Sequence, residues 1–258
     1  MLSDKTAIIT GGSQGIGAAI AEAFADNGAG VMIIARTASV LEETAARIRA
    51  KTGREVKTLA SDLREADAPT KAVDAATQAF GHLDIVVNNA GATKRADFFE
   101  LTDEDFVDGF ALKFFAMMRM TRAAWPHLIG SGGSILNIIG VGARYGSPEF
   151  TIGGPVNSAC HNFTKAMAER GRADGVRVNA INPGPVRTPR LQRTLERMMT
   201  EQAISQSEAM NQVRDTFQAT RIGEPEDIAN LALFVASEKG SLLHGSVIDM
   251  DGGAVKAL

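Results

Sequence analysis

The chain predicts an α/β fold, a single doubly wound domain whose seven-stranded, mostly parallel sheet is flanked by helices. Three observations point there. Short apolar runs rich in β-branched residues alternate with longer amphipathic stretches, the pattern of repeated strand-helix units. The length of 258 residues, 45% of them apolar, suffices for one core covered on both faces. No repeat of fixed period and no low-complexity linker divides the chain, so residues 1–258 read as one unit.

The first strand is expected at residues 6–10 (Thr6-Ala7-Ile8-Ile9-Thr10), followed by a glycine-rich turn and a helix. Further strands are expected at 31–35, 56–60, 84–88, 134–139, 176–181 and 246–250, each separated from the next by a segment that reads as helical. The fourth helix is long and carries Met117-Met118-Arg119-Met120, flexible apolar side chains suited to a core or a subunit contact. Residues 189–219 are polar, rich in Met and Gln, and lack a strand pattern; they read as a helical flap over the site.

Bulk charge removes several function classes. Lys and Arg total 27 against 30 Asp and Glu, without a long like-charge block, so no nucleic-acid partner is expected. One cysteine, Cys160, excludes an intrachain disulfide and a thiolate cluster, and His82, His127 and His244 form no metal-binding set. No apolar run is long enough to span a bilayer, and Met1 to Lys5 lead directly into the first strand. A cytoplasmic protein without membrane association is expected.

Between the first strand and its helix stands Thr10-Gly11-Gly12-Ser13-Gln14-Gly15-Ile16-Gly17. Glycines there permit a tight turn and let backbone N–H groups approach a pyrophosphate. The Gly-x-x-x-Gly-x-Gly spacing resembles that of the short-chain dehydrogenases/reductases. The resemblance continues with Asp62 after the third strand, Asn88-Asn89-Ala90-Gly91 after the fourth, Asn182-Pro183-Gly184 after the sixth, and Asp251-Gly252-Gly253 near the end. It implies a Rossmann-type domain that binds a nicotinamide dinucleotide. Gly11, Ser13, Gln14, Gly15, Ile16 and Gly17 would cradle it, Asp62 with Leu63 would hold the adenine, and Asn88, Ala90 and Gly91 would line the cleft. Pro183, Gly184, Val186 and Thr188 would face the nicotinamide. Taken singly, Asn-Asn-Ala-Gly and Pro-Gly are also ordinary turn sequences.

At the end of the second strand an acidic residue favours NAD, whereas an arginine can meet the 2′-phosphate of NADP. The chain reads Ile34-Ala35-Arg36-Thr37, and the cationic fork of Arg36 favours NADP(H). NAD(H) stays possible, with Arg36 then a solvated surface charge.

In the family a tyrosine, its pKa lowered by a lysine four residues later, donates the proton; a serine steadies the oxygen and an asparagine completes a relay. Here the one tyrosine, Tyr145, is followed four residues later by Glu149, and no Tyr-x-x-x-Lys occurs. Placing the family frame on Ile135 to Val141 and on Phe163-Thr164-Lys165 puts Gly140 at the serine position, Gly153 at the tyrosine and Asn157 at the lysine. Counting back from Thr121 to Pro126 puts Lys113 at the relay asparagine. Lys and Asn are thus exchanged, which leaves a cation for proton donation or polarisation. Lys113 is equally readable as a lysine with a packed stem and a solvated head. His161, four residues after Asn157, shares its helix face and is either an acid or a histidine satisfied by packing and a carbonyl. Arg144, Tyr145 and Glu149 are open to overhanging the substrate or to being surface loop residues.

The expectation is an NADP(H)-dependent oxidoreductase acting on the carbonyl/alcohol pair, or an activated double bond, of a small molecule through an atypical proton donor. The alternatives are an inactive NADP(H)-binding subunit of a hetero-oligomer, or a lyase or isomerase that retains its cofactor. Phe106, Phe110, Phe114 and Phe115, with the methionines, add apolar surface beyond one stripe, consistent with a homo-oligomer. The resemblance implies a tetramer or dimer.

Overall fold

The computed structural model describes residues 1–256. Parallel strands β1 (Thr6–Thr10), β2 (Gly30–Ala35), β3 (Val56–Ala60), β4 (Ile85–Asn88), β5 (Ser134–Ile138), β6 (Arg177–Pro183) and β7 (Val247–Met250) form one sheet. Its order is β3-β2-β1-β4-β5-β6-β7. The seven strands fall where the apolar runs place them, with ends shifted by one or two residues. β6 runs on through Pro183, because a proline that lacks a donor is tolerated at a strand terminus.

Both faces are covered, which is why the central strands are apolar throughout rather than alternating. On one face α1 (Gly15–Asp26), α2 (Ala38–Thr52) and α9 (Pro225–Ala236) bury Ile20, Phe24, Leu41, Ile48, Ile228 and Val235. On the other, α3 (Ala68–Phe80), α5 (Ala116–Leu128) and α6 (Gly153–Asp174) bury Ala72, Met120 and Leu128 among others. Trp125 Nε1 donates to Asp174 Oδ2 at 2.8 Å and ties α5 to α6.

The long fourth helix is interrupted. α4 (Asp103–Phe110) opens on a reciprocal Thr102–Asp105 capping box, then passes through a five-residue π-helical turn, Ala111–Phe115, into α5. Residues 189–217 contain α7 (Pro189–Gln202) and α8 (Gln206–Phe217), which share a small core of Leu195, Ala209, Val213 and Ile222. Among the described residues no helix is long and apolar enough to cross a membrane.

Strand order reverses at β1, whose neighbours β2 and β4 feed helices on opposite faces. At such a switch point the loops leaving the carboxyl ends of the strands diverge and open a cleft. The glycine turn after β1, Asn88–Gly91 after β4 and the segment after β6 all leave from that edge.

Candidate active site

The cleft floor is stitched from the first and fourth strands. Thr10 Oγ1 accepts from the backbone N–H groups of Asn89 (2.9 Å) and Ala90 (3.0 Å), while Asn89 Nδ2 donates to the carbonyls of Thr10 (3.0 Å) and Gly11 (3.2 Å). This approach demands glycine: a Cβ on Gly17 would lie 2.2 Å from the Gly11 oxygen, and Gly11 itself has φ of 66°. Thr44 Oγ1 on α2 holds the turn from outside by donating to the Ser13 carbonyl at 2.7 Å.

The arrangement fits a dinucleotide. Gln14 at the N-cap of α1 makes no side-chain cap bond and the first turn carries no acidic residue, so the leading N–H groups stay available to an anion. Arg36 is exposed at the end of β2. Asp108 lies within its electrostatic reach but is paired with Arg64. Asp62 accepts from the Arg64 backbone at 3.1 Å and meets its guanidinium at 3.3 Å. Leu63 is buried. On the far wall Gly184 packs on Asp251, where a Cβ would come within 2.7 Å of backbone. Val186 bridges to Gly223, and Thr188 caps α7 beside Gly15. The fold thus gathers residues 11–17, 88–91 and 183–188 around one cleft.

Lys113 projects from the π-helical turn. Its stem lies against Gly91, where a Cβ would approach Cδ to 3.0 Å, and Nζ donates to the Ile139 carbonyl at 2.6 Å. Burial pulls its pKa down to about 8. Asn157 Nδ2 donates to the adjoining Gly140 carbonyl at 3.4 Å, and its Oδ1 is buried with no partner. Lys113 and Asn157 therefore converge on consecutive carbonyls just past β5.

Gly140 has φ of 127°, a region that favours glycine, so a serine there would strain the backbone. Gly153 opens α6 under the ring of Phe150: a Cβ would lie 2.0 Å from two ring carbons, and one on Gly142 2.6 Å from another. The Arg95 guanidinium covers the same ring, 3.9 Å from its centroid.

His161 Nε2 meets Asn182 Oδ1 at 2.7 Å, and Asn182 Nδ2 donates to Asp249 Oδ1 at 2.6 Å. A carboxylate only accepts, so Asp249 turns the amide oxygen toward His161 and puts the imidazole proton on Nε2. Burial lowers the His161 pKa and favours the neutral ring. Arg144 does not overhang the cleft as a free cation: it pairs with Asp249 at 3.2 Å and reaches the Val247 carbonyl. Burial pushes the Cys160 thiol up to about 11, away from thiolate chemistry.

Phe150, Arg95, Arg190, Asn182 and Asp249 shape the site without having been singled out as site residues by sequence reasoning. Arg190 donates to the Gly91 carbonyl. Its place two residues after Thr188 was the one available signal; Arg95 sits in a loop without any pattern.

Comparison with known proteins accords with this geometry. Residues 11–255 match the family model described as enoyl-(acyl carrier protein) reductase. The chain is 37% identical over 254 residues to an uncharacterised oxidoreductase of Mycobacterium tuberculosis, covering 98% of this chain and 92% of that one. It is 35% identical over 257 residues to the short-chain dehydrogenase/reductase FrzI of a Cladobotryum species, covering 98% and 97%. Among solved structures, L-sorbose reductase from Gluconobacter frateurii, complexed with NADPH and L-sorbose, superposes with a TM-score of 0.95 at 32% identity, covering 100% of this chain and 98% of that one. The sheet order, the glycine turn and these matches over nearly the whole length agree, and the chain belongs to the short-chain dehydrogenase/reductase family.

Proposed function

We propose that the protein is an NADP(H)-dependent oxidoreductase that interconverts a carbonyl and an alcohol, with Lys113 in place of the tyrosine as proton donor. The observation that carries this reading is the position of Lys113: its stem crosses Gly91 on the cleft wall and its ammonium ends on the Ile139 carbonyl beside Asn157. The NADPH-bound state of the sorbose reductase relative, and Arg36 at the end of β2, support NADP(H).

When bound, the nicotinamide would supply hydride to the carbonyl carbon. Lys113 would then release a proton from Nζ to the oxygen that gains charge, and its lowered pKa keeps that transfer accessible near neutrality. Asn157, whose Oδ1 has no partner, is placed to hold a polar group of substrate or a water beside the ammonium. His161 acts through Asn182, keeping the end of β6 in place rather than touching substrate.

The test is NADPH consumption at high enzyme concentration against ketones, aldehydes, diketones, quinones and enones, with NADH alongside. Oxidation that follows one substrate class and is lost in Lys113→Ala supports the reading. One observation favours a second: the Phe150 ring and Arg95 fill the space above Gly153. A cofactor-binding subunit without its own chemistry would bind NADPH tightly and turn over nothing.

The association mode we propose is a homo-oligomer packed on α5 and α6. Met118, Trp125, Phe163 and Met167 line a groove between those helices, and Phe115 is 40% exposed beside it.

A further inference from the structure

Positive charge in the cleft exceeds what the protein neutralises. Lys113 and Arg190 both meet residue 91, the first by its stem and the second by a hydrogen bond to the carbonyl. Arg95, stacked on Phe150, lies within electrostatic reach of Arg190, which in turn reaches Lys113. Arg193 adds charge from α7. The surrounding surface pairs its charges: Lys94 meets Asp105 at 2.8 Å and Arg197 meets Glu201 at 4.0 Å. Arg95, Arg190 and Lys113 make no ion pair among the described residues; Glu149 reaches Arg95 electrostatically without contact.

Arg95 and Arg190 are exposed side chains without a carboxylate partner, and like charges gathered on one wall repel one another and give up part of their hydration to the neighbouring protein. Desolvation lowers the pKa of both arginines, although both remain charged at any working pH. A ligand that brings a negative group relieves both costs, and a guanidinium offers a carboxylate or phosphate two parallel N–H donors.

We propose that the substrate is an anion, a carbonyl compound carrying a carboxylate or phosphate that Arg95 and Arg190 clamp while its carbonyl lies toward Lys113. This rests on the oxidoreductase reading for its turnover, but not for its binding. Arg95 is the better probe, because Arg190 touches Gly91 on the cofactor wall and its loss would disturb both ligands.

The experiment measures two quantities on NADPH-loaded protein. One is kcat/KM for 2-, 3- and 4-oxo acids against their methyl esters, for dihydroxyacetone phosphate against dihydroxyacetone, and for L-sorbose as a neutral polyol. The other is the rise in Tm that each compound produces. The expected result is a preference of at least tenfold for one charged member over its neutral partner. Arg95→Gln should then raise KM for that member by about 10- to 100-fold, in line with the loss of a charge-assisted hydrogen bond. NADPH affinity should stay unchanged, and Arg95→Lys should recover part of the loss. Acid against phosphate in the panel separates the two oxyanions. A charged member that raises Tm without turnover upholds the anion site while the oxidoreductase reading fails. Turnover of neutral compounds without charge preference overturns the anion site while the oxidoreductase reading stands. Equal Tm for acid and ester throughout, or an Arg95→Gln protein that loses NADPH instead of substrate, also overturns it.

Discussion

An ammonium group buried against the Ile139 carbonyl, with its stem on Gly91, forfeits solvation that water would supply, and the pKa of about 8 at Lys113 reflects that loss. Two predictions follow from one substitution. Lys113→Met keeps the stem and removes the charge, so turnover should fall at least about 100-fold while NADPH affinity is retained. Thermal stability at pH 7 should rise, since a buried charge is removed and a site tuned for chemistry is relaxed. The pH dependence has a definite sign. Between about 8 and the ordinary 10.5 the unfolded chain holds a proton that the folded chain has released. The native protein therefore gains stability relative to Lys113→Met as pH climbs through that window, and reductive turnover declines over the same climb because the donor is deprotonated. Denaturant titrations of both proteins at pH 7 and pH 10 check the first; a pH-rate profile checks the second. At the other end of the cleft, Arg36→Ala should weaken NADPH by about tenfold and leave NADH unchanged, as measured by fluorescence titration.

At the scale of elements, the π-helical turn Ala111–Phe115 decides where Lys113 points. A π turn holds one residue more than the α-helix around it. Deleting Ala111 should let α4 and α5 join in regular α-helical register, preserve the circular dichroism spectrum, and swing residue 113 off the cleft with loss of turnover. That interruption was illegible in the sequence, where Phe106 to Met120 read as one long helix; a π turn has no period of its own over five residues. The strands were legible because burial on both faces makes each a short apolar run, and the glycine turn because only glycine fits where Gly17 meets the Gly11 carbonyl. Asn157 was located by the spacing from β5 into α6 and Lys113 by counting back from Thr121 to Pro126 on α5, and the two side chains meet consecutive carbonyls. What sequence could not display were contacts between distant loops: Arg95 over Phe150, and Asp249 orienting Asn182 and through it His161. None of these has a spacing, since each depends on where two loops meet in space.

For the molecule as a whole, the apolar groove between α5 and α6 is where a second copy is proposed to pack, and its chemistry is separable from the cleft. Phe163→Glu places a carboxylate among Met118, Trp125 and Met167. Light scattering after gel filtration should register a smaller species, and the monomer should still bind NADPH, because the glycine turn lies at the carboxyl edge of the sheet rather than on those helices. α7, which shares a small core of Leu195, Ala209 and Val213 with α8, contributes Arg190 and Arg193 to the cation-rich wall. A saturating anionic substrate should therefore slow amide exchange in α7 more than in α1, an outcome that hydrogen-exchange mass spectrometry resolves segment by segment.

The ring of Phe150 has a consequence for how this scaffold can be rewritten. With ring carbons 2.0 Å from where a Cβ on Gly153 would stand, a side chain there must push the Phe150 ring aside or have that residue made small first. The order of substitutions is thus constrained. Gly153→Tyr alone should damage folding, whereas Phe150→Ala followed by Gly153→Tyr and Asn157→Lys opens a passable route toward the tyrosine-lysine pair. Along that route Arg95 loses the aromatic face it stacks on. Acquiring the familiar proton donor would thus loosen one member of the cation-rich wall, an epistatic link set by one phenyl ring.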